Sequence, residues 1–186
     1  TPLSERSHTL CWDARGHGNH DVNANTDMSI GAMAEDLHQL ITQRQLARPV
    51  LIGNSMGALT GWEYIRRYGC HHLAGFCIVD QSPKLVTDNS WEHGIYGDFT
   101  AEYDRNFIGR LREDFAEGLL ELVANGFNLR SRENYQRNSH GFQQMRDALQ
   151  KLPAELMIRC WESLAAQDYR TLLPQIDIPC LQIYGD

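Results

Sequence analysis

No window of the sequence approaches the roughly 18 consecutive apolar residues that a membrane span needs, and the first twenty residues show no basic-then-apolar leader pattern. The chain is therefore expected to be neither inserted in a membrane nor exported. Basic clusters are missing too: 17 Lys and Arg stand against 24 Asp and Glu, a formal net charge of −7, and the arginines are scattered. With no electrostatic footprint for phosphate backbones and no RNA- or DNA-binding signature, nucleic acid is not an expected partner. Cysteine is sparse and unpaired. The 5 cysteines, at positions 11, 70, 77, 160 and 180, form no Cys-x-x-Cys, and three lie in apolar runs. Buried thiols in a reducing, cytoplasmic setting fit this better than disulfides or a zinc site. No two histidines fall at a metal-ligand spacing beside a carboxylate, so no metal is expected. Internal repeats and low-complexity tracts are absent.

What is present is globular composition: 186 residues, 42% hydrophobic and 22% charged. A compact chain of this length buries roughly 70% of its unfolded surface, which suits one sizeable core. It begins at Thr1 without Met and stops at Asp186 directly after an apolar run, and so reads as an excerpt.

The pattern along the chain alternates strand and helix. Thr9–Asp13 reads as a strand closed by the glycine-punctuated turn Ala14-Arg15-Gly16-His17-Gly18-Asn19. Ile30, Met33, Leu37, Leu40 and Ile41 recur at helical spacing behind Asp27 or Ser29 as N-cap, and that helix ends near Gln45 before Arg48-Pro49. Val50–Gly53 is apolar on both faces, as a central parallel strand covered on both sides is. Ala58, Leu59, Trp62 and Ile65 give a second helix, stopped at Gly69. Leu73–Val79 repeats the buried-strand pattern up to Asp80. From about 85 to 170 the chain is charged and helix-prone in pieces such as Arg110–Ala124 and Gly141–Lys151. After a proline-bounded connector, Cys180–Tyr184 returns to strand.

The expected architecture is α/β: a parallel sheet with helices on both faces, built from right-handed crossovers. It divides into a core part at 1–84, a helical cap or lid at 85–170 and a return to the core at 171–186.

Gly53-Asn54-Ser55-Met56-Gly57 fits G-x-S-x-G, the nucleophile elbow, with a buried strand read before it and a helix after it. Strain on a strand-to-helix bend lifts the Ser55 hydroxyl above the sheet, and the flanking glycines make room where backbone passes closely. The following helix presents unpaired N–H groups and the positive end of its dipole, so the Met56 N–H is placed to stabilise an oxyanion. The bland alternative is a Gly-rich turn whose serine only caps a helix.

Together with Trp12–Gly18 upstream and Ile178–Asp186 at the end, the elbow resembles the α/β-hydrolase superfamily, in particular its esterase, perhydrolase and carbon–carbon hydrolase branch with a helical cap. The resemblance implies a serine nucleophile, a carboxylate and a histidine base in that chain order. Ser55 carries over as the nucleophile. The histidine and a second oxyanion donor are expected outside this stretch. In most relatives the carboxylate lies a little beyond the position of Gly185, Asp186 being too early, but in a minority it ends the sixth strand, where Asp80 stands. The alternative for Asp80 is a turn residue whose side chain caps its own loop.

His17 is expected to shape its turn rather than act as a base, and Arg130, Arg132 and Arg137 to form a solvated cap face. Trp91, with Tyr96 and Phe99, either lines an acyl pocket or pins the cap to the core. The function so implied is serine hydrolysis of a small ester, thioester or related acyl substrate through an acyl-enzyme. It needs no cofactor and no partner beyond that small molecule, and the oligomeric state stays open. The competing readings are a non-catalytic small-molecule binder of the same fold and a cofactor-free perhydrolase or haloperoxidase.

Overall fold

A computed structural model describes residues 5–18 and 20–185, so Asn19 of the glycine turn and Asp186 lie outside the described residues. Three strands form one parallel sheet: β1 (Val50–Asn54), β2 (Gly75–Val79) and β3 (Cys180–Ile183), in that order. Helices α1 (Ile30–Gln43) and α2 (Met56–Tyr68) pack on each other and precede and follow β1. Between β2 and β3 run α3 (Ala101–Glu113), α4 (Phe115–Ala124), α5 (Leu129–Gln136), α6 (His140–Leu149) and α7 (Ala154–Ala165).

Local chemistry sets most boundaries. Ser29 caps α1 by accepting from the Ala32 N–H, and Asp27 in turn accepts from the Ser29 N–H. Both N-cap candidates thus contribute, in series. Gly69, at φ +76°, ends α2. The expected helix over Arg110–Ala124 is in fact two, because Asp114 leaves the helical region at φ −149° and caps α4 by accepting from the Glu117 N–H. A short polar side chain that bonds its own downstream backbone competes with helix continuation, and here it wins.

One face of the sheet carries the core. Phe76 and Ile78 of β2 are buried at 2% exposure, with Trp62 of α2 edge-on to Phe76 at 6.1 Å. A Cβ at Gly61 would lie 2.4 Å from the Phe76 ring, so this glycine lets α2 close onto β2. The other face reads Val50, Ile52 and Asn54 on β1, level with Gly75, Cys77 and Val79 on β2, of which Cys77 and Val79 are level with Leu181 and Ile183 on β3. It is largely open, with Ile52 63% and Leu181 57% exposed. The expectation that Val50–Gly53 is buried on both sides is therefore corrected: β1 is an edge strand, covered on one face only among the described residues.

The expected strand at Thr9–Asp13 is also absent. Residues 9–13 take no regular structure and have no strand partner among the described residues, with Leu10 and Trp12 exposed, because a strand exists only where a neighbour accepts its hydrogen bonds. The cysteines divide. Cys70 and Cys160 are buried and Cys77 partly so, whereas Cys11 and Cys180 are exposed, on that unpaired segment and on the edge strand β3. Among the described residues no group of three or more His, Cys, Asp or Glu is gathered as a metal site, and no helix is long and apolar enough to cross a membrane.

Helix α7 links the two apolar clusters. Leu156, Met157, Cys160 and Leu164 join the core of α1, α2 and β2, while Ile158 joins a smaller cluster with Phe99, Phe107 and Leu111. The Ser163 hydroxyl accepts from the Ile30 N–H, tying α7 to the start of α1.

Candidate active site

Ser55 stands between the last residue of β1 and the first of α2, at φ +50° and ψ −117°, and is exposed. A non-glycine residue at positive φ is strained, and such strain persists only where the surroundings fix it. They do so here: the Val79 carbonyl accepts from the Ser55 N–H at 3.2 Å and from Asn54 Nδ2 at 3.1 Å, nailing the bend to β2. The Ser55 side chain makes no capping hydrogen bond to α2, which removes the bland alternative for it.

The two glycines of the motif differ. A Cβ at Gly53 would lie 2.5 Å from Ala58 N and from the Gly57 backbone, so glycine is required there for α2 to double back on β1. At Gly57 a Cβ would meet nothing within 4 Å. The expected steric need at Gly57 is thereby corrected: among the described residues no backbone passes that side of the first turn.

Met56 opens α2, so its N–H belongs to the first turn and has no intrahelical partner. Its thioether is occupied elsewhere, 3.7 Å from Cys160 Sγ on α7. Burial pushes the Cys160 thiol up to about 11, so it stays protonated and packs as an apolar group.

Asp80 ends β2 as Ser55 ends β1. Asn54 pairs with Val79 and Val79 with Ile183, so Ser55 and Asp80 each follow directly on paired residues at the same end of adjacent strands. Asp80 also has a positive φ, +50°, and its N–H donates to Ile183 O at 2.8 Å. Its carboxylate has no hydrogen-bond partner among the described residues, so it does not cap its own loop. Burial raises the pKa of the Tyr96 hydroxyl, and the Asp80 charge adds to that.

Trp91 makes the contacts of a pin. Its indole N–H donates to Lys84 O at 3.0 Å, the Arg170 guanidinium lies over its ring at 5.3 Å, and His93 meets it edge-on. Phe99 is buried in the smaller cluster at 1% exposure. Tyr96 alone of that trio borders a cleft, of about 390 Å³, together with Tyr103, Phe127, Leu129, Asp98 and Arg132. The sequence reading overlooked Phe127, 81% exposed just after Gly126. Its one signal was a phenylalanine in a turn, outside any helical register. Arg132 is exposed, as are Arg130 and Arg137, in keeping with a solvated face, and it also borders this cleft.

His17 is built into its turn: its N–H donates to Ala14 O at 2.9 Å and its Nδ1 lies 3.1 Å from Arg15 O. Arg15 forks onto Asp36 of α1 at 2.6 and 2.7 Å and so fixes that turn against α1. His38, His71 and His72 gather beside Arg48, at the end where β1 and β2 begin, a strand length from Ser55.

A parallel sheet packed against helices, with a strained, exposed serine between a strand and a helix N-terminus, defines an α/β fold with a sharp strand-to-helix bend at Ser55. The family model described as "alpha/beta hydrolase fold" matches residues 2–186, and the chain belongs to that family. It is similar to 3-oxoadipate enol-lactonase 1 of Acinetobacter baylyi, 24% identical over 184 residues, 98% of this chain and 62% of that protein. Among solved structures it is similar to a bromoperoxidase from Bacillus anthracis, with TM-score 0.77, 23% identity and coverage of 94% of this chain and 62% of that one. An esterase from Exiguobacterium antarcticum gives TM-score 0.72 and 21% identity, with 91% of this chain and 60% of that one covered. The chain thus spans about three-fifths of the length of these proteins.

Proposed function

We propose that the protein carrying this chain is a serine hydrolase acting on a small ester, thioester or lactone through an acyl-enzyme on Ser55. The observation that carries the reading is the backbone of Ser55: positive φ, exposed, at the carboxyl end of β1 and directly before a helix N-terminus. Ligands of open α/β sheets bind at that end. The relative named an enol-lactonase supports cyclic esters as part of the substrate class.

In this reading a histidine base takes the Ser55 proton as Oγ bonds to the carbonyl carbon, and the Met56 N–H donates to the resulting oxyanion. Collapse expels the alcohol, which receives that proton. Water, deprotonated by the same histidine, then releases the acid and frees Ser55. The histidines at 38, 71 and 72 are at the wrong end of the strands for this role, and His17 is committed to its turn. Asp80, at the same strand end as Ser55 and without a partner for its carboxylate, is the proposed acid that orients the base. The cleft bordered by Tyr96 and Phe127 is the proposed seat of the substrate's apolar part.

The test is Ser55→Ala in the protein carrying this sequence. Covalent labelling by a fluorophosphonate and turnover of p-nitrophenyl acetate are both expected to vanish, with a fall in kcat on the order of 10⁶. Labelling retained by the alanine variant overturns the assignment. A wild type that binds small esters without turning them over supports a non-catalytic binder instead.

A further inference from the structure

Three aromatic side chains, Tyr96, Tyr103 and Phe127, border one cleft of about 390 Å³. The cleft belongs to the segment that leaves the sheet at Asp80. The Ile95 N–H donates to Leu85 O at 2.9 Å, and Leu85 stands five residues beyond Asp80, at most about 18 Å of extended chain.

The rings are held in place. Tyr96 has a φ of +53°, a left-handed conformation that a bulky residue keeps only where its surroundings impose it. Its hydroxyl donates to Leu122 O of α4 at 3.0 Å. A Cβ at Gly126 would lie 2.7 Å from that hydroxyl oxygen, so glycine there keeps the space the tyrosine fills. The next residue, Phe127, sets its ring edge-on to Tyr96 at 5.5 Å. Tyr103 of α3 rests on the buried ring of Phe99, with centres 4.8 Å apart.

Much of this apolar surface is nevertheless open to water. Phe127 is 81% and Leu129 70% exposed, and a guest that covers them gains from their removal from solvent. The Tyr96 hydroxyl asks nothing of that guest, being spent on Leu122 O. Charge of one sign is not selected either, because Asp98 and Arg132 both border the cleft. These features suit a neutral, flat, apolar group. Size permits it, since a cavity of about 150 Å³ already admits benzene.

We propose that the cleft selects a substrate carrying an aromatic ring, with Phe127 as the residue that sets the preference. The inference rests on the acyl-enzyme reading given above and narrows its substrate class to aryl-bearing esters. A ring lying against Phe127 and Tyr103 makes edge-to-face or offset contacts that a saturated ring cannot, in addition to burial.

The experiment compares ethyl phenylacetate with ethyl cyclohexylacetate, and benzyl acetate with cyclohexylmethyl acetate, in the protein carrying this sequence. Cyclohexyl is the bulkier and more apolar group, so burial alone favours it and only attraction between rings reverses the order. The wild type is expected to show kcat/KM about three- to tenfold higher for the aryl member of at least one pair. The pair that responds tells whether the ring lies on the acyl or the alcohol side. The same preference is expected in the Kd of Ser55→Ala for these esters, where nothing turns over. Phe127→Leu, at an exposed position, is expected to fold and to bring the ratios to one or below, and Phe127→Tyr to keep them. Ratios of one or below in both wild-type turnover and Ser55→Ala binding overturn the aryl preference and leave the Ser55 reading standing. A preference of full size in Phe127→Leu overturns the role of Phe127. Fluorophosphonate labelling of Ser55→Ala overturns the Ser55 reading instead, whatever the binding ratios.

Discussion

The thiol of Cys160 rests 3.7 Å from the thioether of Met56, so the last helix between β2 and β3 touches the residue whose N–H follows the elbow serine. The first turn of α2 is therefore held from two sides, by β2 through Val79 O and by α7 through this sulfur pair. Trimming Cys160 to alanine leaves a small void against Met56. The expected cost is about 1–2 kcal/mol in urea unfolding, together with slower fluorophosphonate labelling. Labelling at the wild-type rate in a variant destabilised by that amount shows that α7 does not steady the elbow.

The glycines flanking Ser55 are expected to respond oppositely. Gly53→Ala forces a Cβ to within 2.5 Å of fixed backbone and is expected to cost more than about 2 kcal/mol or to straighten the elbow. Gly57→Ala meets open space in the first turn of a helix and is expected to stay within about 0.5 kcal/mol of wild type. Thermal melts of the two variants compare them directly, and equal losses refute the asymmetry.

Glu63 of α2 is fully buried beneath Tyr169. Burial pushes its carboxyl up, but bonds from Arg67, Arg66 and the Tyr169 hydroxyl outweigh that and hold it below the usual 4.5. A carboxylate whose folded value is depressed stabilises the fold above its unfolded pKa, and that contribution fades as pH falls through the folded value. Glu63→Gln is therefore expected to lose about 1–3 kcal/mol at pH 7 and to flatten the decline in stability below pH 4.5. Denaturation curves at pH 7 and pH 3 make the check; a wild-type slope in the variant removes Glu63 as the acid-sensitive group.

Asp80→Asn tests the proposed acid. Asparagine tolerates the positive φ at this position, so the turn after β2 is expected to survive. If the carboxylate orients the base, kcat falls by on the order of 10⁴ while the melting temperature is unchanged. Wild-type turnover in the variant assigns the acid to another residue.

The strand-to-helix bend at Ser55 was legible because its constraints are local. A glycine two before the serine, an apolar strand upstream and helical spacing downstream are all contained in residues 50–65, and together they fix the bend at Ser55. The same holds for α1, whose period and caps lie within its own segment. The stretch between β2 and β3 was legible only as helix-prone sequence. The break at Asp114 rested on a side chain's choice between continuing a helix and capping the next, and the contribution of Phe127 to a cleft rested on which segments meet there.

Sequence alone thus determined the order of strand, strained serine and helix, since sterics and hydrogen bonding within a few residues decide those features. Tertiary structure alone decided that, among the described residues, β1 is an edge with Ile52 exposed, that Thr9–Asp13 pairs with no strand, and that Trp91 lies under Arg170. Each of these depends on whether a distant segment arrives to cover or bond the residue, and apolar spacing along the chain carries no record of that.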